Sequence, residues 1–316
     1  MIGTLRRLRG EVLGLNRRNH EFLFVHNSRR RYTLVDDKRT TKEVLARHGV
    51  PAPVLLHVCE TQGEVRRLGE RLARERDFAL KPARGAGGAG IVVVVGRDGE
   101  RFVKASGALV TRRDLEAHAC DLLAGTFSAR GAEDAVVVEE RLVADPVLGA
   151  LAYRGVPDLR VLVFRGVPLL ALLRLPTRRS DGRANLHLGG VGVGVELDGG
   201  RTTHGIVGRR AVTRHPDLGR LLAGVTVPRW TEVLLLAVRA ADAVALGFVG
   251  VDIVLDARRG PLVLELNARP GLAIQLANRR GLRPLLAAVD AVPAGAEARV
   301  ALGQHLSSLV PGGSSG

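Results

Sequence analysis

Two carboxylates and an amide in the last third of the chain are spaced to hold a small, hard cation. In the stretch GFVGVDIVLDARRGPLVLELNARPG, residues 247–271, GVDIVL and PLVLELN read as strands and DARRG as the turn between them. A turn centred between Arg258 and Arg259 sets Asp252 directly across from Glu265, and two-residue alternation puts Glu265 and Asn267 on one face. Carboxylates among valines and leucines are costly to bury without a nearby cation. A few oxygen ligands of this kind suit Mg2+ bridged to substrate phosphates. The same three residues on a solvated strand face would bind nothing, and spacing alone leaves both readings open.

A second constellation lies upstream. Lys81 ends the apolar run FAL and precedes Pro82 and a loop containing Gly85, Gly87, Gly88 and Gly90. Glycines let backbone N–H groups approach an anion closely, and a lysine beside them suits a polyphosphate. There is no GxxxxGK[ST], and the loop leads into the strand-like run IVVVV, so neither a P-loop nor a dinucleotide fingerprint is present. A glycine-rich hairpin lid over phosphates remains, alongside a plain β-turn. Lys38, at the start of KRTTKEVLARHG, either reaches an anion or decorates a helix start.

Composition narrows the field. The 316 residues carry a net charge of +15 and are 46% hydrophobic but only 3% aromatic. A core of Val, Leu and Ala is affordable, and base-stacking platforms for nucleic acid are poorly supported. The surplus charge is arginine; lysine occurs only at 38, 42, 81 and 104. Such a surface attracts acidic partners. Cys59 and Cys120 show no metal-type spacing and no disulfide framework, which favours a reducing compartment. No secretory signal or transmembrane run is evident, so the expectation is a cytoplasmic protein.

Several elements must position these residues. Ile2–Arg18 reads as a basic amphipathic helix, and Phe22–Val25 as a short strand or extended connection. Helices are expected over Lys38–His48, Thr61–Glu75 (with a Thr61/Glu64 capping box), Thr111–Leu123, Pro216–Leu222, Thr231–Leu246 and Arg283–Val289. Strands are expected at Val54–Val58, Phe78–Lys81, Ile91–Val95, Arg101–Val103 and Ala135–Glu139. A hairpin Leu159–Phe164/Pro168–Leu173 turns at Arg165-Gly166, and a long loop follows from Thr177 to about Gly194. Strands arriving as hairpins with helices between them indicate an α+β fold with antiparallel sheets.

Taken in order, DKRTTKEVLARHGVPAP, FALKPARGAGGAGIVVV, VVVEERL, DLRVLVFRG, GRANLHLGG, and GVDIVL with LELNARPG resemble the ATP-grasp carboxylate–amine ligases. The nearest resemblance is to the alpha-L-glutamate ligase-like branch, which includes the ribosomal-protein glutamate ligase, over about Asp37 to Leu286. The resemblance implies an ATP-grasp fold, two α+β subdomains with antiparallel sheets gripping ATP between them. It divides the chain into a basic helix and reduced leading segment (1–36), an N-terminal subdomain with the glycine lid (37–140), a C-terminal subdomain with the metal hairpin (141–300) and a flexible tail (301–316).

The same resemblance assigns roles. Lys38 and Lys81, with Gly85, Gly87 and Gly88, would hold the ATP phosphates. Glu139, Glu140, Arg141 and Leu142 would line the adenine pocket, and Asp145 would reach the ribose. Arg160, Arg183 and Asn185 would serve the transferring phosphoryl, while Asp252, Glu265 and Asn267 would hold Mg2+, with Mn2+ as an alternative. Arg269 would bind a substrate carboxylate or pair with a surface acid. His187 is a candidate base, although such a histidine is more often structural. The implied reaction joins a small-molecule or peptide carboxylate to an amine, most simply an amino acid, through an acyl phosphate; an acidic protein tail would suit the positive surface. The implied enzyme needs no specific nucleic acid, and a homo-oligomer stays open. Few residues precede Lys38, where many such enzymes carry a further α/β domain. The N-terminal helix, a second subunit or a partner would then complete the acid site. The alternatives are a phosphotransferase on the same fold and a basic nucleic-acid or membrane-surface module.

Overall fold

A computed structural model describes residues 10–85, 87–128 and 133–309. Most of the expected basic N-terminal helix, residues 1–9, lies outside them. The chain divides into a small unit, residues 36–39 and 53–143, and a large unit formed by the rest.

The small unit is one antiparallel sheet with helices. Its strands are β1 (Leu55–Cys59), β2 (Phe78–Pro82), β3 (Val92–Asp98), β4 (Arg101–Lys104), β5 (Leu109–Val110) and β6 (Val136–Glu139), in the order β1-β6-β2-β3-β4-β5. Phe78, Leu80, Val94, Phe102, Val136 and Val138 form its core with Leu115 and Leu122. The last two come from a helix over Arg112–Leu123. Thr111 caps it reciprocally with Asp114, as Thr61 does with Glu64 before the helix Gln62–Arg66. The expected single helix over Thr61–Glu75 breaks at Arg67 into two short ones, Gln62–Arg66 and Leu68–Leu72.

In the large unit, seven strands form a second antiparallel sheet: β7 (Asp158–Phe164), β8 (Val167–Leu175), β9 (Val191–Val195), β10 (Thr202–Val207), β11 (Arg210–Val212), β12 (Phe248–Asp256) and β13 (Gly260–Asn267). Their order is β11-β10-β9-β8-β7-β12-β13. Arg165 and Gly166 both take positive φ, the geometry of a two-residue turn that suits the twist of β7 and β8. One sheet face packs Val161, Leu173, Val251 and Ile253 under the helix Trp230–Val244. The opposite face buries Leu162, Phe164, Leu170, Leu172 and Phe248 in a second core.

Four expectations are corrected. Phe22–Val25 is helical, continuing through a six-residue π-helix, Arg18–Leu23, because Leu23 enters the second core and Phe22 meets the rings of Phe164 and Phe248; packing overrides the strand preference of FLFV. Pro216–Leu222 is a turn, closed by Gly219 N–H donating to the His215 carbonyl with Gly219 at positive φ. The loop expected to reach Gly194 ends at β9, whose VGVGV sequence hides a strand. Its glycines admit close neighbours, since a Cβ at Gly194 would lie 2.5 Å from the Ala277 carbonyl. Residues 301–309 belong to the helix Ala296–Leu309 rather than to a tail; 310–316 lie outside the described residues.

Candidate active site

The second core of the large sheet gives way to charge at one end of its face. Alternation along β7 puts Asp158 and Arg160 on the same side as Leu162 and Phe164. Arg160 pairs with Asp252 across β7–β12, and Asp158 pairs with Arg174 across β7–β8. The Arg160 Nε donates to Asp252 Oδ1 at 2.7 Å and its Nη2 to Oδ2 at 2.6 Å, a two-point clamp. Arg174 Nη2 donates to Asp252 Oδ2 at 2.6 Å while its Nε donates to Asp158. Arg174 therefore bridges two buried carboxylates.

Burial and charge pull these groups in different directions. Burial pushes the Asp158 carboxyl up to about 6, helped by the Asp252 charge and opposed by Arg174. Burial also acts upward on Asp252, only 1% exposed, but the guanidiniums of Arg160 and Arg174 outweigh it and hold its pKa below the usual carboxylate range. The two aspartates titrate as a coupled set.

The expected face of β12–β13 is present. Asp252 pairs with Glu265, and Gly250 with Asn267. Asn267 Nδ2 donates to Asp252 Oδ2 at 3.1 Å. The route to that register differs from the expectation. Asp256 pairs with Gly260, so the turn centres on Arg258. Asp256 Oδ1 accepts from the N–H groups of Arg258 and Arg259, and Gly260 supplies the positive φ. A bulge that skips Leu264 then restores the Asp252–Glu265 pair.

The donor types suit a hard cation, but the grounds are narrower than burial alone suggests. The cations that offset Asp252 are arginines of the chain itself. Glu265 is half-buried, and among the described residues its side chain has no hydrogen-bond or ion-pair partner. Asp252, Glu265 and Asn267 carry oxygen donors of the type Mg2+ takes, but both Asp252 oxygens already accept from arginines, and among the described residues no three His, Cys, Asp or Glu side chains gather into a metal-holding group.

In the small unit, Lys81 Nζ lies 2.6 Å from Glu139 Oε2, both side chains buried. Glu139 thus presents its carboxylate to Lys81, a side-chain role that the expected adenine contact did not include. Lys38 Nζ donates to the carbonyls of Ala83, at 3.3 Å, and Gly85, at 2.7 Å, which ties it to the start of the glycine loop. A Cβ at Gly85 would lie 2.2 Å from Pro82 Cγ, so that position needs glycine; Gly87 and Gly88 take positive φ. The Glu140 N–H is taken by the Val54 carbonyl at 3.0 Å, and Arg141 pairs with Asp77 at 3.1 Å. Leu142 enters no backbone hydrogen bond among the described residues. Beside Lys38, Asp37 accepts from Arg39 and Arg84; burial acts upward on it, but these partners hold its pKa down at about 2.

Other expected residues have local work. Asp145 caps the short helix Pro146–Gly149 through Val147 N–H. Asn185 Oδ1 accepts from His187 N–H at 2.9 Å, and Arg183 lies 3.5 Å from exposed Asp181. His187 is exposed. The guanidinium of Arg269 lies 4.5 Å from the centre of the Tyr32 ring. Asp158 and Arg174 were missed from sequence. The available signal was an arginine and an aspartate inside runs otherwise too apolar to leave a charge unpaired.

The family described as sugar-transfer associated ATP-grasp matches residues 17–291. The chain belongs to this family. The ATP-grasp fold accounts for the two antiparallel sheets with their helices. A comparison with curated proteins finds no match. Among solved structures, this ATP-grasp chain is similar to the ATP-grasp ligase PsnB complexed with a minimal precursor, at 22% identity over 79% of this chain and 57% of that one, with a TM-score of 0.41. It is also similar to D-alanine–D-alanine ligase from Bacillus anthracis, at 15% identity over 88% of this chain and 69% of that one, TM-score 0.43. A third is an L-amino acid ligase from Bacillus licheniformis, at 15% identity over 78% and 43%, TM-score 0.43. The chain spans 54% to 61% of the length of the PsnB chain. These scores are low, and the family assignment rests on the sequence match.

Proposed function

We propose that this ATP-grasp protein is an ATP- and Mg2+-dependent ligase that joins a carboxylate to an amine, with an amino acid as the amine. The observation that carries the reading is one sheet face on which Arg160 clamps Asp252 while Glu265 and Asn267 stand beside it, in a chain of this family. Asp252, Glu265 and Asn267 would hold Mg2+, which when bound supplies charge neutralisation at the phosphates. Lys38, Lys81 and the loop at Gly85, Gly87 and Gly88 would hold the phosphates, and the Leu142 backbone would meet the adenine. The likeness of the motifs to the glutamate-ligase-like branch supports an amino-acid amine. Because the family is described as sugar-transfer associated, we include acids that carry a sugar among those to be tested.

In the proposed reaction a substrate carboxylate oxygen attacks the γ-phosphorus of ATP, the bond to the β,γ-bridging oxygen breaks, and ADP leaves. The amine then attacks the acyl carbon, phosphate departs, and the amine proton passes to phosphate or solvent. No protein nucleophile is needed. The chain's part is to position and to neutralise charge with Lys81, Arg160 and Arg183.

The test is ATP turnover with Mg2+ against pools of carboxylic acids, with hydroxylamine present to trap acyl phosphate as hydroxamate. The expected products are ADP and hydroxamate, with both lost in Glu265→Ala. AMP and pyrophosphate, or phosphate retained on the acceptor, would exclude the ligase reaction.

A further inference from the structure

Several large apolar side chains of residues 10–32 stand in solvent. Leu15 is 60% exposed, Phe24 56%, Val25 68% and Val12 42%. Of the ten Phe, Tyr and Trp residues, Phe24 is the one exposed; the others are buried or half-buried. An apolar side chain exposed singly is ordinary, but several on one short segment mark a surface that meets something else.

The fold holds these side chains out. The Leu13 N–H donates to Gln275 Oε1 at 2.8 Å and its carbonyl accepts from Gln275 Nε2 at 3.1 Å, so Val12 and Leu15 flank a buried anchor. Val12, Leu15, Arg17 and Arg283 then line one open hollow. Further on, the π-helix Arg18–Leu23 continues into the short helix Phe24–His26, and the buried side of this stretch carries Arg18, Leu23 and Asn27. Asn27 Nδ2 donates to the carbonyls of Phe248 and Ala268, which fixes the stretch to the β12–β13 hairpin. With Leu23 and Asn27 turned inward, the helical repeat sends Phe24 and Val25 outward.

The charge around them is positive. Residues 10–32 hold five arginines against two glutamates, and Glu21 is paired with Arg17 at 2.7 Å. Arg29, Arg30 and Arg31 follow Val25 closely and are exposed, with the Arg29 guanidinium 5.8 Å from the centre of the Phe24 ring. Arg6, Arg7 and Arg9 precede this segment with no acid among residues 1–9. No helix among the described residues is long and apolar enough to cross a membrane. Apolar side chains bordered by arginines on a short helical stretch suit the bilayer interface instead, apolar groups at the acyl boundary and guanidiniums among anionic headgroups. A fluid bilayer moulds itself around side chains that project from separate points, whereas a protein partner needs a matched surface.

We propose that this segment docks the protein on an anionic membrane surface, with Leu15, Phe24 and Val25 at the acyl boundary and Arg29 and Arg30 among the headgroups. The inference stands on this surface alone and does not depend on the ligase reading.

Sedimentation of the full chain with vesicles tests it, using phosphatidylcholine alone and phosphatidylcholine mixed with phosphatidylglycerol. Binding is expected to the mixed vesicles only, and to weaken with added KCl. Phe24→Ser combined with Val25→Ser should weaken it about tenfold or more, and Arg29→Gln combined with Arg30→Gln about thirtyfold, both with an unchanged thermal midpoint. Arg209→Gln combined with Arg210→Gln removes the same charge from exposed residues at β11 and should have little effect. Because Trp230 is buried, the emission of a Phe24→Trp chain should shift to the blue on mixed vesicles. Any binding of soluble polyglutamate should be indifferent to the Phe24/Val25 change. No binding to mixed vesicles, an equal loss in the Arg209/Arg210 chain, indifference of vesicle binding to the Phe24/Val25 change, or an unshifted emission would each overturn the proposal. Polyglutamate binding that the Phe24/Val25 change weakens as much as vesicle binding would assign the surface to an acidic protein instead.

Discussion

Arg174 is the residue on which the charged face turns. It bridges Asp158 and Asp252 and offsets their mutual repulsion while Arg160 clamps Asp252 from the other side. Removing one member of a buried ionic set leaves an uncompensated charge and costs about 3–5 kcal/mol. Arg174→Met is therefore expected to destabilise the large unit by that order in urea denaturation, and a second change, Asp158→Asn, should recover part of the loss. A loss of less than about 1 kcal/mol would place Arg174 among ordinary surface pairs. The pH dependence follows from the raised pKa of Asp158. Between its unfolded value, near 3.8, and about 6 the folded state binds more protons, so this group's stabilising contribution is complete below about 4 and is lost as pH climbs to 6. Asp158→Asn should flatten the stability profile across that window relative to the parent chain. An unchanged slope would mean that Asp158 does not titrate there.

Two bulges decide which side chains meet. In β8 the ladder skips Leu169, so Asp158 faces Arg174; a regular ladder from the Arg165-Gly166 turn would put Leu173 opposite it. In β13 the skipped residue is Leu264, which keeps Glu265 and Asn267 on the Asp252 face while Val263 and Leu266 both enter the first core. Deleting Leu264 should rejoin a regular ladder with Glu265 still across from Asp252, so ATP turnover should survive. Inserting one alanine after Leu264 should move Glu265 and Asn267 to the core face and abolish turnover. Equal activity of both variants would show that the register does not matter. The alternation of β7 and β12 and the Arg165-Gly166 turn were legible in the sequence. The bulges were not, because an extra backbone residue leaves no mark in composition or periodicity.

Across the molecule, net charge +15 and the arginine-rich surface favour encounter with an anionic nucleotide. Raising ionic strength screens this attraction. The KM for ATP is expected to rise with added KCl while kcat changes little, and a salt-independent KM would remove the steering role. Among the described residues no helix is long and apolar enough to cross a membrane. Each unit has its own core, so unfolding need not follow a single two-state transition.

The sequence by itself determined the class of architecture, the hairpins and the chemistry available to them. Apolar strands joined by such short turns can pair only in antiparallel order, and the glycines, lysines and oxygen-bearing side chains are given by type and spacing. Tertiary structure decided the rest. It supplied arginines as counter-ions to Asp252, converted FLFV from strand to helix by burying Leu23, and folded residues 18–32 against the hairpin with Phe24 and Val25 left outside. Those outcomes depend on groups far apart in the chain competing for burial and charge, which no local pattern records.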